Sequence, residues 1–392
     1  MAEVKEMEKL PEGWKRVRLG EIIEYEQPQK YLVKSEQYDE KTGIPVLTAG
    51  KSFILGYTEE QFGIYNTIPT IIFDDFTSDS RYVNFPFKLK SSAIKILKTK
   101  DNNDLFFIYS VMQTLNFNPG SEHKRYWISE YSKISIPFPP LPEQRKIVEI
   151  LKTVDNAIEK TSRIIEKYKR IKQGLMQDLL TNGIDENGQI RSEETHRFKD
   201  SSLGSIPEEW EVLELGEVFK LKSGMTRPCD TSEFGNYPVY GGNGILGYTN
   251  EKNFNIETII IGRVGEYCGS VYIASGGWVT DNALYVAVKK RVYNNLFLCY
   301  LLNYINLNQY SAETGQPLMT QSIVYRIQIP LPPLTEQHRI VSILSQIDEA
   351  IEKEKRYKEK LERIKQGLME DLLTGKVRVN HLIEGVENVS QT

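Results

Sequence analysis

The chain has 392 residues, with 49 Lys and Arg against 53 Asp and Glu, a net charge of −4 and 40% hydrophobic residues, which is more chain than one core serves and points to two or three domains. No apolar run approaches the ~18–20 residues of a membrane span, and the charged stretch Met1 to Lys9 has no signal-peptide core, so a cytoplasmic protein is expected. Cys229, Cys268 and Cys299 form no Cys-x-x-Cys pair, and His123, His196, His338 and His381 share no helix-face spacing, which argues against a disulfide framework and a metal enzyme.

In chain order, Leu10-Pro11-Glu12-Gly13-Trp14 and then Leu19-Gly20-Glu21 open a first globular domain, expected over 1–141. Three strings in it imitate chemistry. Ala49-Gly50-Lys51-Ser52 looks like the end of a phosphate loop but has Pro45 where the earlier glycine belongs. Asn84-Phe85-Pro86-Phe87 resembles the Asn-Pro-Pro-aromatic signature of adenine methyltransferases but has Phe85 where its first proline belongs, and it reads as strand and turn; Glu122-His123-Lys124 has no upstream aspartate placed as a nuclease motif needs and reads as surface.

A long helix is predicted over 142–182. Apolar residues recur at three-four spacing through Val154, Ile158, Ile164, Tyr168, Ile171, Leu175 and Leu179. Pro142 stands in the first turn and Glu143 places negative charge at the positive end of the helix dipole, while Gly183 marks the exit. Its length, about 35–40 residues, corresponds to roughly 50–60 Å. Gly174 interrupts good helix at a cost of about 1 kcal/mol relative to alanine, which is read as close approach of a second helix in preference to a tolerated weak spot.

The polar stretch Asp185 to Ser205 reads as a flexible connection to a second domain, the two together filling 183–334. This domain opens on Ile206-Pro207-Glu208-Glu209-Trp210 and Leu215-Gly216-Glu217, echoing the first. Gly247-Tyr248-Thr249 repeats Gly56-Tyr57-Thr58, and Thr258-Ile259-Ile260 repeats Thr70-Ile71-Ile72. A second long helix is predicted over 335–376, with Thr335 as its capping hydroxyl, Ile347, Ile351, Tyr357, Leu361, Ile364, Leu368 and Leu372 as its stripe and Gly367 matching Gly174. The C-terminal tail, 377–392, has little apolar content after Val379 and reads there as a loose end or a short segment ordered by a partner.

The two helices are one segment written twice. Ile134 to Thr181 returns at constant offset as Ile327 to Thr374, and Arg170 to Met176 matches Arg363 to Met369 without a change. Each stripe needs a partner, and the simplest solution folds the helices together antiparallel. The expected fold is α+β: two similar α/β domains separated by two long antiparallel coiled-coil helices in a pseudo-two-fold tandem repeat.

The Pro-Pro-Leu-x-Glu-Gln strings at Pro139 to Gln144 and Pro332 to Gln337, the ends at Gln173 to Thr181 and Gln366 to Thr374, and the Trp14 and Trp210 starts resemble the specificity subunit of type I restriction-modification systems. Gly241-Gly242-Asn243-Gly244-Ile245 and Gly262-Arg263-Val264-Gly265 add to the resemblance, whereas the first domain has Phe73-Asp74-Asp75 in place of Ile261-Gly262-Arg263. The resemblance implies two target recognition domains reading a bipartite, asymmetric double-stranded DNA sequence, with the helices fixing the gap. It also implies two methyltransferase subunits and a restriction subunit as partners, which would hold S-adenosylmethionine, ATP and Mg, and no cofactor or catalysis in this chain. Candidate DNA contacts are Thr48, Lys51, Arg81, Lys124, Arg125 and Tyr126 in the first domain, and Lys222, Asn243, Arg263, Thr314 and Gln316 in the second, since such donors and acceptors distinguish base pairs in the major groove.

The acidic balance runs against this reading, because proteins that grip the phosphate backbone usually carry a basic surplus. Local clusters such as Lys124-Arg125 and Lys289-Lys290-Arg291 would have to compensate. Two other classes stay open: a coiled-coil scaffold whose globular ends bind proteins, and a self-contained nuclease or methyltransferase, against which the missing motifs argue.

Overall fold

The computed structural model describes residues 10–50, 52–115, 117, 125–314 and 316–383. One unit is built from 1–162 with 356–392 and the other from 163–355, so each long helix begins in one unit and ends in the other.

In the first unit Trp14 leads into β1 (Lys15–Arg18), α1 (Leu19–Ile22) and β2 (Ile23–Glu26). Then follow β3 (Ile44–Leu47), β4 (Ile54–Thr58), β5 (Thr70–Asp74), β6 (Ser80–Val83), β7 (Lys88–Leu89) and β8 (Ile94–Thr99). The short helices α2 (Leu105–Thr114) and α3 (Tyr126–Ser129) precede β9 (Ser135–Phe138) and the long helix α4 (Leu141–Thr181). Strands β2, β8, β5 and β6 make one antiparallel sheet in that order, and β3 joins β4 antiparallel and β7 parallel. Side chains alternate across the sheet, which divides the core. Ile71, Phe73 and Leu97 pack with α2 and the root of α4, while Ile72, Ile94 and Ile96 meet Leu47, Val83 and Phe87.

The second unit opens with β10 (Phe198–Ser201), β11 (Gly204–Pro207), β12 (Glu211–Glu214) and α5 (Leu215–Val218). Its sheet is built from β13 (Phe219–Ser223), β14 (Tyr237–Gly241), β15 (Gly244–Thr249), β16 (Phe254–Gly262), β17 (Val271–Val279) and β18 (Ala283–Lys289). After α6 (Asn295–Ile305) come the hairpin β19 (Ala312–Thr314) and β20 (Gln316–Leu318), then α7 (Gln321–Tyr325), β21 (Gln328–Leu331) and the second long helix α8 (Leu334–Thr374). The order β13-β18-β16-β17 reproduces β2-β8-β5-β6, and β14–β15 corresponds to β3–β4. One strand, β17, stands where the first unit has β6 and β7, because Asn84-Phe85-Pro86-Phe87 breaks the ladder and Pro86 cannot donate to it.

Both long helices have 41 residues. In the first unit Ile147, Val148 and Leu151 of α4 share a core with Leu372 and Leu373 of α8, and Asp155 pairs with Lys365 at 2.6 Å, so the segments run antiparallel. In the second unit Leu179 and Leu180 share a core with Ile340 and Leu344, and Lys172 pairs with Asp348.

The repeated Glu-Gln pair explains itself in the geometry. Glu143, in the first turn of α4 and 2% exposed, accepts the Trp14 indole N–H at 2.9 Å and two Arg378 donors at 2.7 and 2.9 Å. Glu336, 1% exposed at the root of α8, accepts the Trp210 indole at 3.1 Å, the Ile184 amide at 2.8 Å and the Arg191 guanidinium. Gln144 and Gln337 donate to Pro139 and Pro332 carbonyls, both at 2.9 Å, and accept from the Asp104 and Asn294 amides that begin the turns of α2 and α6. Gly183 and Gly375, both at positive φ, leave no room for a Cβ beside Trp210 and Trp14 respectively.

Several expectations are corrected. Of the anticipated stripe, Ile171, Tyr357 and Ile364 are 38, 50 and 42% exposed, and Ile165 at 6% is buried instead. The face continues at heptad spacing through the polar residues Thr161 and Lys172 in α4 and Glu354, Lys358 and Lys365 in α8, Thr161 buried and the others partly buried, and stepping over these moved the reading off it. Gly174 and Gly367 have open space around a Cβ, so among the described residues no helix approaches them closely. Thr335 lies inside the first turn rather than capping it, since α8 begins at Leu334. The stretch read as a flexible connection is structured: it carries Arg191 at 8% exposure, bridges back to Ile184 through Ile190 and runs into the β10–β11 hairpin. The residues that lead into the tail are anchored, with Val379 buried and Arg378 paired with Glu143. Cys268 and Cys299 are buried, and burial pushes the Cys299 thiol up to about 11.

Candidate nucleic-acid interface

In the second unit two glycine turns lie against each other. Gly241-Gly242-Asn243-Gly244 joins β14 to β15, and Gly262 ends β16 with no space for a side chain between Tyr267, Ser270 and the Gly242 carbonyl. The Ser270 hydroxyl donates to that carbonyl and the Tyr272 hydroxyl to the Gly241 carbonyl. Burial pushes the Tyr272 hydroxyl up, so it donates as a neutral phenol.

Arg263 follows directly. Its amide donates to Asn282 O at 2.9 Å and its carbonyl accepts from Met319 N at 2.8 Å, which fixes the backbone on both sides. The side chain is half-buried, and its Nε is enclosed with no hydrogen-bond partner among the described residues. The bridge from Val264 to Leu318 brings the β19–β20 hairpin alongside, placing the Gln316 amide 3.2 Å from where a Cβ on Gly265 would stand. Asn243, Arg263 and Gln316 therefore share one neighbourhood, with the backbone of Thr314 across the hairpin from Gln316 and its side chain outside the described residues. Lys222 is exposed two strands away, on β13. Tyr267, 48% exposed beside these glycines, was missed by the sequence reading, although its position in a turn between Gly265 and Gly269 was a signal for it.

The first unit offers a different chemistry at the matching place. The Thr48 hydroxyl accepts from Gly50 N at 3.0 Å, and Arg81 donates to Gly50 O at 3.3 Å with its guanidinium over Phe53, so these two candidates meet around one turn. The Arg81 Nε, like that of Arg263, is enclosed without a partner. Arg125 is exposed at the start of α3. Tyr126 is only 3% exposed, with its ring edge-on to Phe117, so it is a core residue and is not available to a ligand. Lys51 and Lys124 lie outside the described residues. Asp75, opposite in charge to Arg263, is 1% exposed; it accepts from Trp127 N at 2.8 Å and faces Lys95 at 3.4 Å.

The model of the type I restriction modification DNA specificity domain matches this chain twice, over residues 11–169 and 207–363. The chain belongs to that family. The specificity subunit of the type I restriction enzyme EcoR124I/EcoR124II of Escherichia coli is 31% identical over 89% of this chain and 90% of its own length. A putative type I restriction enzyme specificity subunit, MjaX of Methanocaldococcus jannaschii, is 30% identical over 95 and 96%. A crystal structure of a type I restriction-modification system S subunit from M. genitalium shares the fold, with a TM-score of 0.64 over 93% of this chain and 98% of that one at 18% identity. As a type I specificity chain, the protein carries its two DNA specificity domains on frames of the same strand order. No helix of the described chain is long and apolar enough to cross a membrane.

Proposed function

We propose that this specificity chain reads a two-part, asymmetric double-stranded DNA sequence, one part with each unit, and directs adenine methylation and restriction carried out by partner subunits. The observation that carries the asymmetry is the contrast at one matched place: Asp75 is buried and faces Lys95 in the first unit, while Arg263 stands half-buried in the second, its enclosed Nε without a hydrogen-bond partner among the described residues. An anchored guanidinium fits a phosphate or a guanine edge, and Asn243 and Gln316 fit an adenine edge. Arg81 and Arg125 are the corresponding donors of the first unit. Different donors on the same frame imply unlike half-sites.

The partners in this reading are two methyltransferase subunits and a restriction subunit. S-adenosylmethionine, ATP and Mg belong to them, and this chain is non-catalytic and cytoplasmic. The paired long helices fix the unread gap. Sequencing of methylated adenines in cells carrying the complete system tests the reading. The expected motif has two defined segments around an unread gap, and a continuous motif, or one independent of this gene, overturns it.

A further inference from the structure

The two buried glutamates at the helix roots receive their arginines by different routes. Arg378 comes from the short run that follows α8 and Arg191 from a longer loop after α4, and the two segments match only in the strings Gly375-Lys376-Val377-Arg378 and Gly188-Gln189-Ile190-Arg191, set at different distances from the helix ends. Yet each delivers a guanidinium to a carboxylate that also holds the tryptophan opening its unit. Duplication alone does not keep such a feature where the surrounding sequence has diverged; a shared requirement for the guanidinium does.

The connections of each knot indicate what it holds. Arg378 also donates to Glu12 O at 3.0 Å, reaching the lead-in to the first unit's strands. The neighbouring glutamine ties the same helix turn to the start of α2 in one unit and α6 in the other, and these helices pack beneath the sheets that carry the candidate contacts. A buried carboxylate deprived of its cation must rehydrate or move, because it is not stable enclosed and unpaired. Loss of one arginine therefore loosens one sheet from the root of its helix and leaves the other knot intact.

We infer that Arg378 and Arg191 are positioning residues, each seating one reading domain on its long helix, so that a residue just beyond α8 governs reading by the first domain. This rests on the two-part reading above. The experiment uses the complex with the methyltransferase subunits of the same system and a DNA fragment carrying the full target, with methylation of the adenine in each half followed separately.

Arg378→Ala is expected to lower methylation in one half by about tenfold and to leave the other within about twofold, as a displaced but folded reading head would. Arg191→Ala is expected to reverse the pattern, and Arg378→Lys, which keeps the charge, to restore part of the loss. Glu143→Gln keeps the shape and an acceptor for Trp14, and it should reproduce Arg378→Ala if that variant folds poorly. Equal losses in both halves for both arginine variants, or no loss in either, overturn the proposal. A wild-type complex that shows no two-part motif fails the reading itself, a result distinguishable from failure of the knots.

Discussion

Lys365 donates to Asp155 at 2.6 Å, and one repeat earlier Lys172 donates to both oxygens of Asp348, at 2.6 and 2.8 Å. The same number of residues separates Asp155 from Lys172 as separates Asp348 from Lys365, so both pairs report one antiparallel register. The Tyr300 hydroxyl adds a second donor to Asp348 at 2.7 Å. Asp155 and Lys365 are each about one-third exposed, and ion pairs so placed contribute at most about 1 kcal/mol. Lys365→Ala is therefore expected to cost less than about 1 kcal/mol in urea unfolding, its value lying in register rather than stability. A loss beyond about 2 kcal/mol would contradict this, since it would exceed what a screened pair supplies.

Ile165 and Ile171 lie on the same helix with opposite fates, at 6 and 38% exposure. A lysine at 165 would carry a charge into the buried face, whereas one at 171 would stand in water. Ile165→Lys is expected to destabilise by more than about 2 kcal/mol and Ile171→Lys to stay within about 0.5 kcal/mol in thermal unfolding. Similar melting shifts for the two would contradict this assignment of the face.

The duplication, the two frames and the positions of the long helices were legible in sequence because proline, glycine and apolar spacing are local signals. Thr161 and Lys172 defeated the stripe reading, since a heptad face tolerates a hydroxyl that donates to its own helix, as Thr161 does to Ala157 O, or a charge that pairs across it, as Lys172 does, and simple periodicity counts only apolar residues. Tyr126 was misplaced for the reverse reason: beside Lys124 and Arg125 it looked like part of a basic surface, while its backbone is held by Asp75 O at 2.9 Å and its ring turns inward. The partners of Glu143 and Glu336 were invisible because Arg378 and Arg191 meet them only through tertiary folding.

The thiols offer a direct check on the second unit's core. Cys229 is exposed, while Cys268 and Cys299 are buried, and desolvation drives both buried thiols above their ordinary range, Cys299 to about 11. A thiol-specific reagent near neutral pH should modify Cys229 alone in the native chain and all three after denaturation, because the thiolate is the reactive form. Rapid native modification of Cys299 would mean that α6 does not pack as described.

If the paired helices set the gap, lengthening them together should change it without changing the bases read. One heptad inserted after Lys167 and another after Lys360, its equivalent in the repeat, keeps the phase of both faces. The insertion adds about 10 Å of helix, or roughly three base pairs of B-DNA. The methylation motif should keep both segments and widen its gap. An unchanged gap, or altered segments, would remove the helices from the role of ruler.

Gly174 and Gly367 pose the last test, because both lie inside a long helix with open space where a Cβ would be. An interior helical glycine costs about 0.5–1 kcal/mol relative to alanine through lost backbone freedom. With no neighbour to clash, Gly174→Ala and Gly367→Ala should each stabilise the isolated chain by that amount, about 0.5–1 kcal/mol, and raise its melting temperature. The same variants assayed in the complex ask a separate question. If assembly with the methyltransferase subunits weakens while the isolated chain gains stability, the open space is taken up by a partner; if both improve, the glycines are weak spots carried along by duplication. Destabilisation of the isolated chain would mean that the space around Gly174 or Gly367 is not open.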